Sequence, residues 1–162
     1  MCQLFRYAGA VDDPRWLDER EQRAWRGYLA MQAQLQATLH RRLQADAGLS
    51  LADFDVLVAL SDRAGEPVRA GELAGVLQWE KSRLSHHLAR MERRGLVARE
   101  DCPDDARGAF VVLTDAGRRA KEAAAPAHVA AVRELVFDGL APEQVDALIS
   151  VSDEVRARIA GR

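Results

Sequence analysis

Residues 70–113 constrain the fold more than any other stretch of the chain. Ala70–Leu77 has room for two helical turns, Trp79-Glu80 interrupts the pattern, and a second helix resumes from about Lys81 to Arg94 before Gly95 ends it. "LVARE" and "AFVVL" follow as β-prone runs, and the eight residues between them, "DCPDDARG", are too many for a tight two-residue turn. A connector of that length projects from the body of a fold. A short helix turning into a longer one is the helix-turn-helix arrangement, and a hairpin with a long tip makes it winged.

The longer helix carries two faces. At 100° per residue, Leu84, Leu88 and Met91 fall within about 60° of one another and predict a buried stripe. Ser82 and His86 point nearly opposite, with Ser85, Arg83 and Arg90 on the flanks. Short hydrogen-bonding side chains near the N-terminal end suit base edges in a major groove, and longer cations suit phosphates. Ser85 and His86 are therefore the expected base readers, whereas Lys81, Arg83 and Arg90 are expected on the backbone. Arg93 or Arg94 is read as merely solvated, and His87, beside the apolar stripe, as a packed histidine bonded to a backbone carbonyl.

Net charge sharpens this reading. The 162 residues carry a formal charge of -2, yet between Trp79 and Arg99 there are six basic residues and two acids. The distribution, more than the total, describes a local positive patch on a mildly acidic chain. At the hairpin tip, Asp105 can hold the guanidinium of Arg107 in one direction, and an arginine so oriented can enter a narrow minor groove. The competing reading of Arg107 is a solvated loop with a weak ion pair.

Helices flank this segment. From about Arg15 to Asp46, Tyr28, Met31, Leu35, Leu39 and Leu43 form one stripe on a helix of about 45 Å, more than a domain of this size needs for its own core. A break near Gly27 is one way out; burial against a second subunit is the expectation. Ser50 caps the next helix, Asp53 favours the positive end of its dipole, and Phe54, Leu57, Val58 and Leu60 give it a buried face before Gly65 and Pro67 stop it after Arg63. Val68-Arg69 is one short strand. Thr114 caps a helix expected to break or kink at Pro126, and Pro142 opens a last helix from its first position.

Other chemistries find no support in the pattern. With 48% apolar residues the chain is long enough for one cored domain. The first residues match neither a secretory signal nor an anchor, and no run approaches the ~18 apolar residues of a spanning helix, so no membrane partner and a cytoplasmic location are expected. There is no Gly-rich phosphate loop, GxSxG or HExxH, so no enzyme, catalytic residue or cofactor is expected. Cys2 and Cys102 form no CxxC pair, His86 and His87 project about 100° apart, and His40 and His128 are isolated, so no metal site is expected either.

"LSLADFDVLVAL", "VRAGELAGVL", "KSRLSHHLARMERRGLVARE" and "DDARGAFVVLTDAG" together resemble MarR-family transcriptional regulators over roughly residues 25–160. The resemblance implies a mainly α (α+β) fold, a winged helix-turn-helix with long N- and C-terminal dimerisation helices and a small β-wing. It implies an N-terminal arm and dimerisation helix over 1–46, a DNA-binding lobe over 47–113 and C-terminal dimerisation helices over 114–162, in one intertwined domain. It further implies a homodimer on a pseudopalindromic operator in double-stranded DNA, a repressor released by a small, often aromatic or phenolic, effector. Ser85 and His86 match the groove-reading pair, Arg107 the wing arginine and Asp105 its orienting acid. Trp25, Tyr28 and His40 are ligand-binding candidates, with core or interface packing as the competing role. Two other functions stay open: a redox sensor of the same fold acting through Cys102, whose thiol is surrounded by Glu100, Asp101 and Asp104, and a protein-binding adaptor, which would require an apolar or acidic outward face on the basic helix.

Overall fold

A computed structural model describes residues 14–63, 66–101 and 109–161, and the chain divides into two compact units, Met1–Gln34 and Leu35–Arg162. Helix α1 (Glu19–Ala47) is a single 29-residue helix that passes Gly27 without a break, where no neighbour approaches the missing side chain. Of its expected stripe, Leu39 and Leu43 are buried, but Tyr28 and Met31 are about half exposed, at 48% and 53%. Among the described residues, no helix is long and apolar enough to cross a membrane.

In the second unit, α2 (Leu51–Ser61) begins at a capping box. Ser50 Oγ accepts from the Asp53 backbone N–H at 3.0 Å, and Asp53 Oδ2 accepts from the Ser50 N–H at 2.9 Å. Phe54, Val56, Leu57 and Leu60 are buried, whereas Val58 is only partly so. The short strand β1 (Val68–Arg69) leads directly into α3 (Ala70–Leu77). Gln78 then takes a left-handed conformation, φ 54°, and the Trp79 N–H bonds back to the Ala74 carbonyl at 2.9 Å, turning the chain into α4 (Lys81–Arg93). Gly95, at φ 69°, closes α4 in the same way, with the Leu96 N–H on the Met91 carbonyl at 3.0 Å.

Strands β2 (Val97–Asp101) and β3 (Ala109–Leu113) form the expected hairpin, in register from Val97 opposite Leu113 to Asp101 opposite Ala109. Its tip, with Cys102, Asp105 and Arg107, lies outside the described residues, as does Cys2. The sheet has a third member: β1 pairs antiparallel with the other edge of β3, giving the order β1-β3-β2. Burial of Val68 directly opposite Val111 explains that added pairing.

Helix α5 (Asp115–Val132) starts where the sequence places it. Thr114 Oγ1 accepts from the Gly117 N–H at 3.0 Å and donates to the Gly95 carbonyl at 2.6 Å, so one hydroxyl ties the start of α5 to the end of α4. Of the two outcomes expected at Pro126, a break is absent: it lacks one N–H, and the flanking turns carry the helix through to a π-helical segment, Arg133–Phe137. The last helix, α6 (Pro142–Ala160), opens with Pro142 and buries none of its residues.

One buried carboxylate holds α2 to α4. Asp53, 4% exposed, receives Arg94 on Oδ2 at 2.8 Å and lies 3.0 Å from His87 Nε2 on Oδ1, an approach too oblique for a linear hydrogen bond. Arg94 uses its other terminal nitrogen to donate to the Gly48 carbonyl at 2.7 Å. Three sequence readings are corrected here. Asp53 does more than answer the helix dipole, Arg94 is a tether and not a solvated charge, and His87 meets Arg90 through Nδ1 and lies beside the Asp53 carboxylate where a backbone carbonyl was expected. Asp53 lies far from both His87 and Arg94 along the chain.

Two outcomes test this packing. A Cβ on Gly117 would lie 2.0 Å from the Leu96 carbonyl oxygen and 2.9 Å from Leu113 Cδ1. Gly117→Ala should therefore cost about 2–4 kcal/mol in urea unfolding, although alanine is the better helix former. Burial alone pushes the Asp53 carboxyl up, but His87, Ser50 and Arg94 together outweigh it and hold it well below the usual carboxylate range. Because the folded group is harder to protonate than the unfolded one, its stabilisation is complete above about pH 3.9 and is lost as pH falls below that value. The urea midpoint should drop across that acid range, and Asp53→Asn should lower the neutral-pH stability by on the order of 2 kcal/mol and flatten the decline.

Candidate nucleic-acid interface

The stripe on α4 fixes what the helix shows to solvent. Leu84, Leu88 and Met91 are at most 1% exposed, and His87 is buried beside them. Lys81, Ser82, Arg83, Ser85, His86 and Arg90 are all exposed. The Glu80 side chain makes no capping bond to the first turn of α4, so the N–H groups there have no side-chain acceptor from that position.

Several of these cations are held in place. The Arg83 guanidinium lies over the Trp79 ring, 4.3 Å from its centroid, and that ring meets His87 edge-on at 5.3 Å. Arg90 Nη2 lies 2.9 Å from His87 Nδ1. From β2, Arg99 donates to the Ser85 carbonyl at 2.9 Å and stands 3.8 Å from Glu92, which joins the base of the hairpin to α4. Arg69, on β1, sits above the Phe110 ring at 5.3 Å. An open cleft of about 470 Å³ runs between α3, α4 and the sheet, lined by Arg69, Lys81, Ser85 and Arg99 among others. Glu72 also borders it, paired with Arg63 at 2.5 Å.

Lys81, Ser82, Arg83, Ser85, His86 and Arg90 thus share the exposed side of one helix, while Asp105 and Arg107 fall outside the described residues. The sequence reading gave no role to Arg69, treated Arg99 only as one charge of the patch, and took Trp79 only as a helix break. For Trp79 a signal existed: an aromatic residue four positions before Arg83, at a turn entering a basic helix.

The ligand candidates lie in different units. Trp25 and Tyr28, on the first, stack with ring centroids 5.8 Å apart and are about half exposed. His40, in the second, uses Nδ1 to accept the Leu51 N–H at 3.3 Å, beside the Ser50 cap at the start of α2. Among the described residues, no three His, Cys, Asp or Glu side chains converge as metal ligands would.

Known proteins share this architecture. Residues 47–108 match the MarR family profile. Sco3205 of Streptomyces coelicolor, a MarR family transcriptional regulator solved in complex with DNA, is 44% identical with a TM-score of 0.84, over 90% of this chain and 91% of its own. AbsC, a MarR family regulator of the same organism, is 40% identical with a TM-score of 0.84, over 92% of this chain and 100% of its own. The transcriptional regulator HosA of Escherichia coli O111:H- is 38% identical over 78 residues, 48% of this chain and 56% of that protein. The chain spans less than two thirds of the length of HosA and of a second curated regulator that it matches. With AbsC overlapped along its whole length at such identity, and with the winged segment matching the family profile, the chain belongs to the MarR family of transcriptional regulators.

Proposed function

We propose that the protein is a sequence-specific repressor that binds a pseudopalindromic operator as a homodimer and leaves it when a small aromatic effector binds. The observation that carries this reading is the outward face of α4, where Ser82, Ser85 and His86 stand among Lys81, Arg83 and Arg90 with the apolar stripe turned inward. Hydrogen-bonding side chains at the centre of such a face reach base edges, and flanking cations neutralise phosphates. An adaptor would present an apolar or acidic face there. The solved complex of Sco3205 with DNA, from a protein 44% identical, supports the same choice.

Two copies are favoured by what one copy leaves uncovered. Leu148, Ile149, Val151, Val155 and Ile159 on α6 are all between 41% and 70% exposed, and Trp25, Tyr28, Leu29 and Met31 on α1 between 44% and 53%. Apolar surface on that scale calls for a partner, and a two-fold dimer would set two recognition helices on successive turns of one duplex. A repressor of this kind works where the chromosome is, in the cytoplasm, and needs no catalytic group. Trp25 and Tyr28, stacked on the first unit, are candidate effector contacts, and His40, on the second, is a separate candidate.

A gel shift on the DNA immediately upstream of the protein's own gene tests this function. A retarded complex that phenolic compounds dissolve and peroxide leaves intact is the expected result. Release by peroxide, abolished in Cys102→Ser, would instead establish redox control, and no shift with any duplex at low ionic strength would reject the function. Arg107→Ala should weaken the complex by about 1–3 kcal/mol without changing the melting of the free protein. Unaltered affinity would remove Arg107 from the interface.

A further inference from the structure

Between the buried start of α2 and an outward cation on α4 stands one imidazole whose Nδ1 meets the cation in hydrogen-bond geometry and whose Nε2 stands close to a carboxylate, off the line of a hydrogen bond. His87 Nδ1 lies 2.9 Å from Arg90 Nη2, and Nε2 lies 3.0 Å from Asp53 Oδ1. A guanidinium has donors and no acceptor, so Nδ1 must offer a lone pair to Arg90. The ring proton then sits on Nε2, where the carboxylate 3.0 Å away attracts it, although oblique to the N–H direction, and would repel an unprotonated nitrogen. Trp79 presents the third wall, edge-on at 5.3 Å, and only 6% of His87 is exposed. A residue serving only to fill the core at this position needs neither nitrogen beside a charge.

We infer that Asp53 and His87 are positioning residues for DNA binding: Asp53 fixes the His87 tautomer, and His87 in turn fixes the Arg90 guanidinium on the outward side of α4. The inference rests on the proposed role of Arg90 as a phosphate contact and adds how that contact is prepared. An arginine that grips a phosphate gives up rotamer freedom, and one already held gives up less. The arrangement differs from that of Arg94, whose terminal nitrogens are taken by Asp53 and Gly48. It also runs inward, since the carboxylate that orders the imidazole is part of the α2 capping box. The start of α2 and a phosphate contact on α4 are thereby joined through one side chain.

A double-mutant cycle tests this with the full-length protein and a fluorescent duplex of arbitrary sequence at low ionic strength, where phosphate contacts dominate. Arg90→Ala should weaken binding roughly fivefold in the native background but less than about twofold in His87→Leu, because Arg90 is no longer held there. His87→Gln, whose amide can accept from Arg90 and donate to Asp53, should restore both the affinity and its dependence on Arg90. An equal loss in the two backgrounds would overturn the positioning role while leaving Arg90 as a phosphate contact. No loss on Arg90→Ala in the native background would instead remove Arg90 from the phosphates and the inference with it. Nitrogen-15 NMR of the native imidazole decides independently of any variant's folding: the proton should reside on Nε2, and an Nδ1–H tautomer would refute the relay.

Discussion

The phase of one helix decides what this protein can touch. Leu84, Leu88 and Met91 are sealed on one side of α4, each a large side chain whose removal from water is worth about 1.5–3 kcal/mol. Rotating α4 by a single residue would bring Arg83 or Ser85 inward and expose part of that stripe. A buried unpaired guanidinium costs far more than any gain from such a turn. The exposed row from Lys81 to Arg90 is therefore a consequence of core packing.

The same helix is anchored hardest at its C-terminal end. Arg94 reaches Asp53 and Gly48 near the start of α2, Gly95 accepts the Thr114 hydroxyl that opens α5, and Leu96 leads into β2. The first turn, by contrast, is left with no side-chain cap from Glu80. Fixed at its inner end and open at its outer end, α4 presents backbone N–H groups and short polar side chains together, an arrangement suited to a phosphate beside a base edge. Arg99 extends the anchoring to the hairpin through the Ser85 carbonyl.

Much of this was legible in the sequence. Local signals carried it: the apolar repeat of α4, the Ser50 and Thr114 caps, Pro142 at the head of α6, and the β-prone runs around a long connector each depend on residues a few positions apart. What escaped the sequence depends on tertiary pairing. Val68 opposite Val111 makes a third strand, and no local pattern announces it. Arg94 read as one more surface charge because its partner, Asp53, lies far back in the chain, and His87 was matched with a backbone carbonyl for the same reason. Of the break or kink expected at Pro126 the break is absent, since a helix can lose one N–H and continue. The ligand candidates were the least legible, because Trp25, Tyr28 and His40 carry no local pattern that separates a binding role from packing.

The most direct measurement compares substitutions across the exposed face of α4 for their effects on salt dependence and on base preference. On selected duplexes, Lys81→Ala should reduce the slope of log affinity against log salt by about 0.9 and leave base preference intact. Ser85→Ala and His86→Ala should instead keep most of the slope and relax the choice of particular bases. Base preference that survives both of those substitutions unchanged would contradict the account, because the face that packing turns outward would then not be the face that reads DNA.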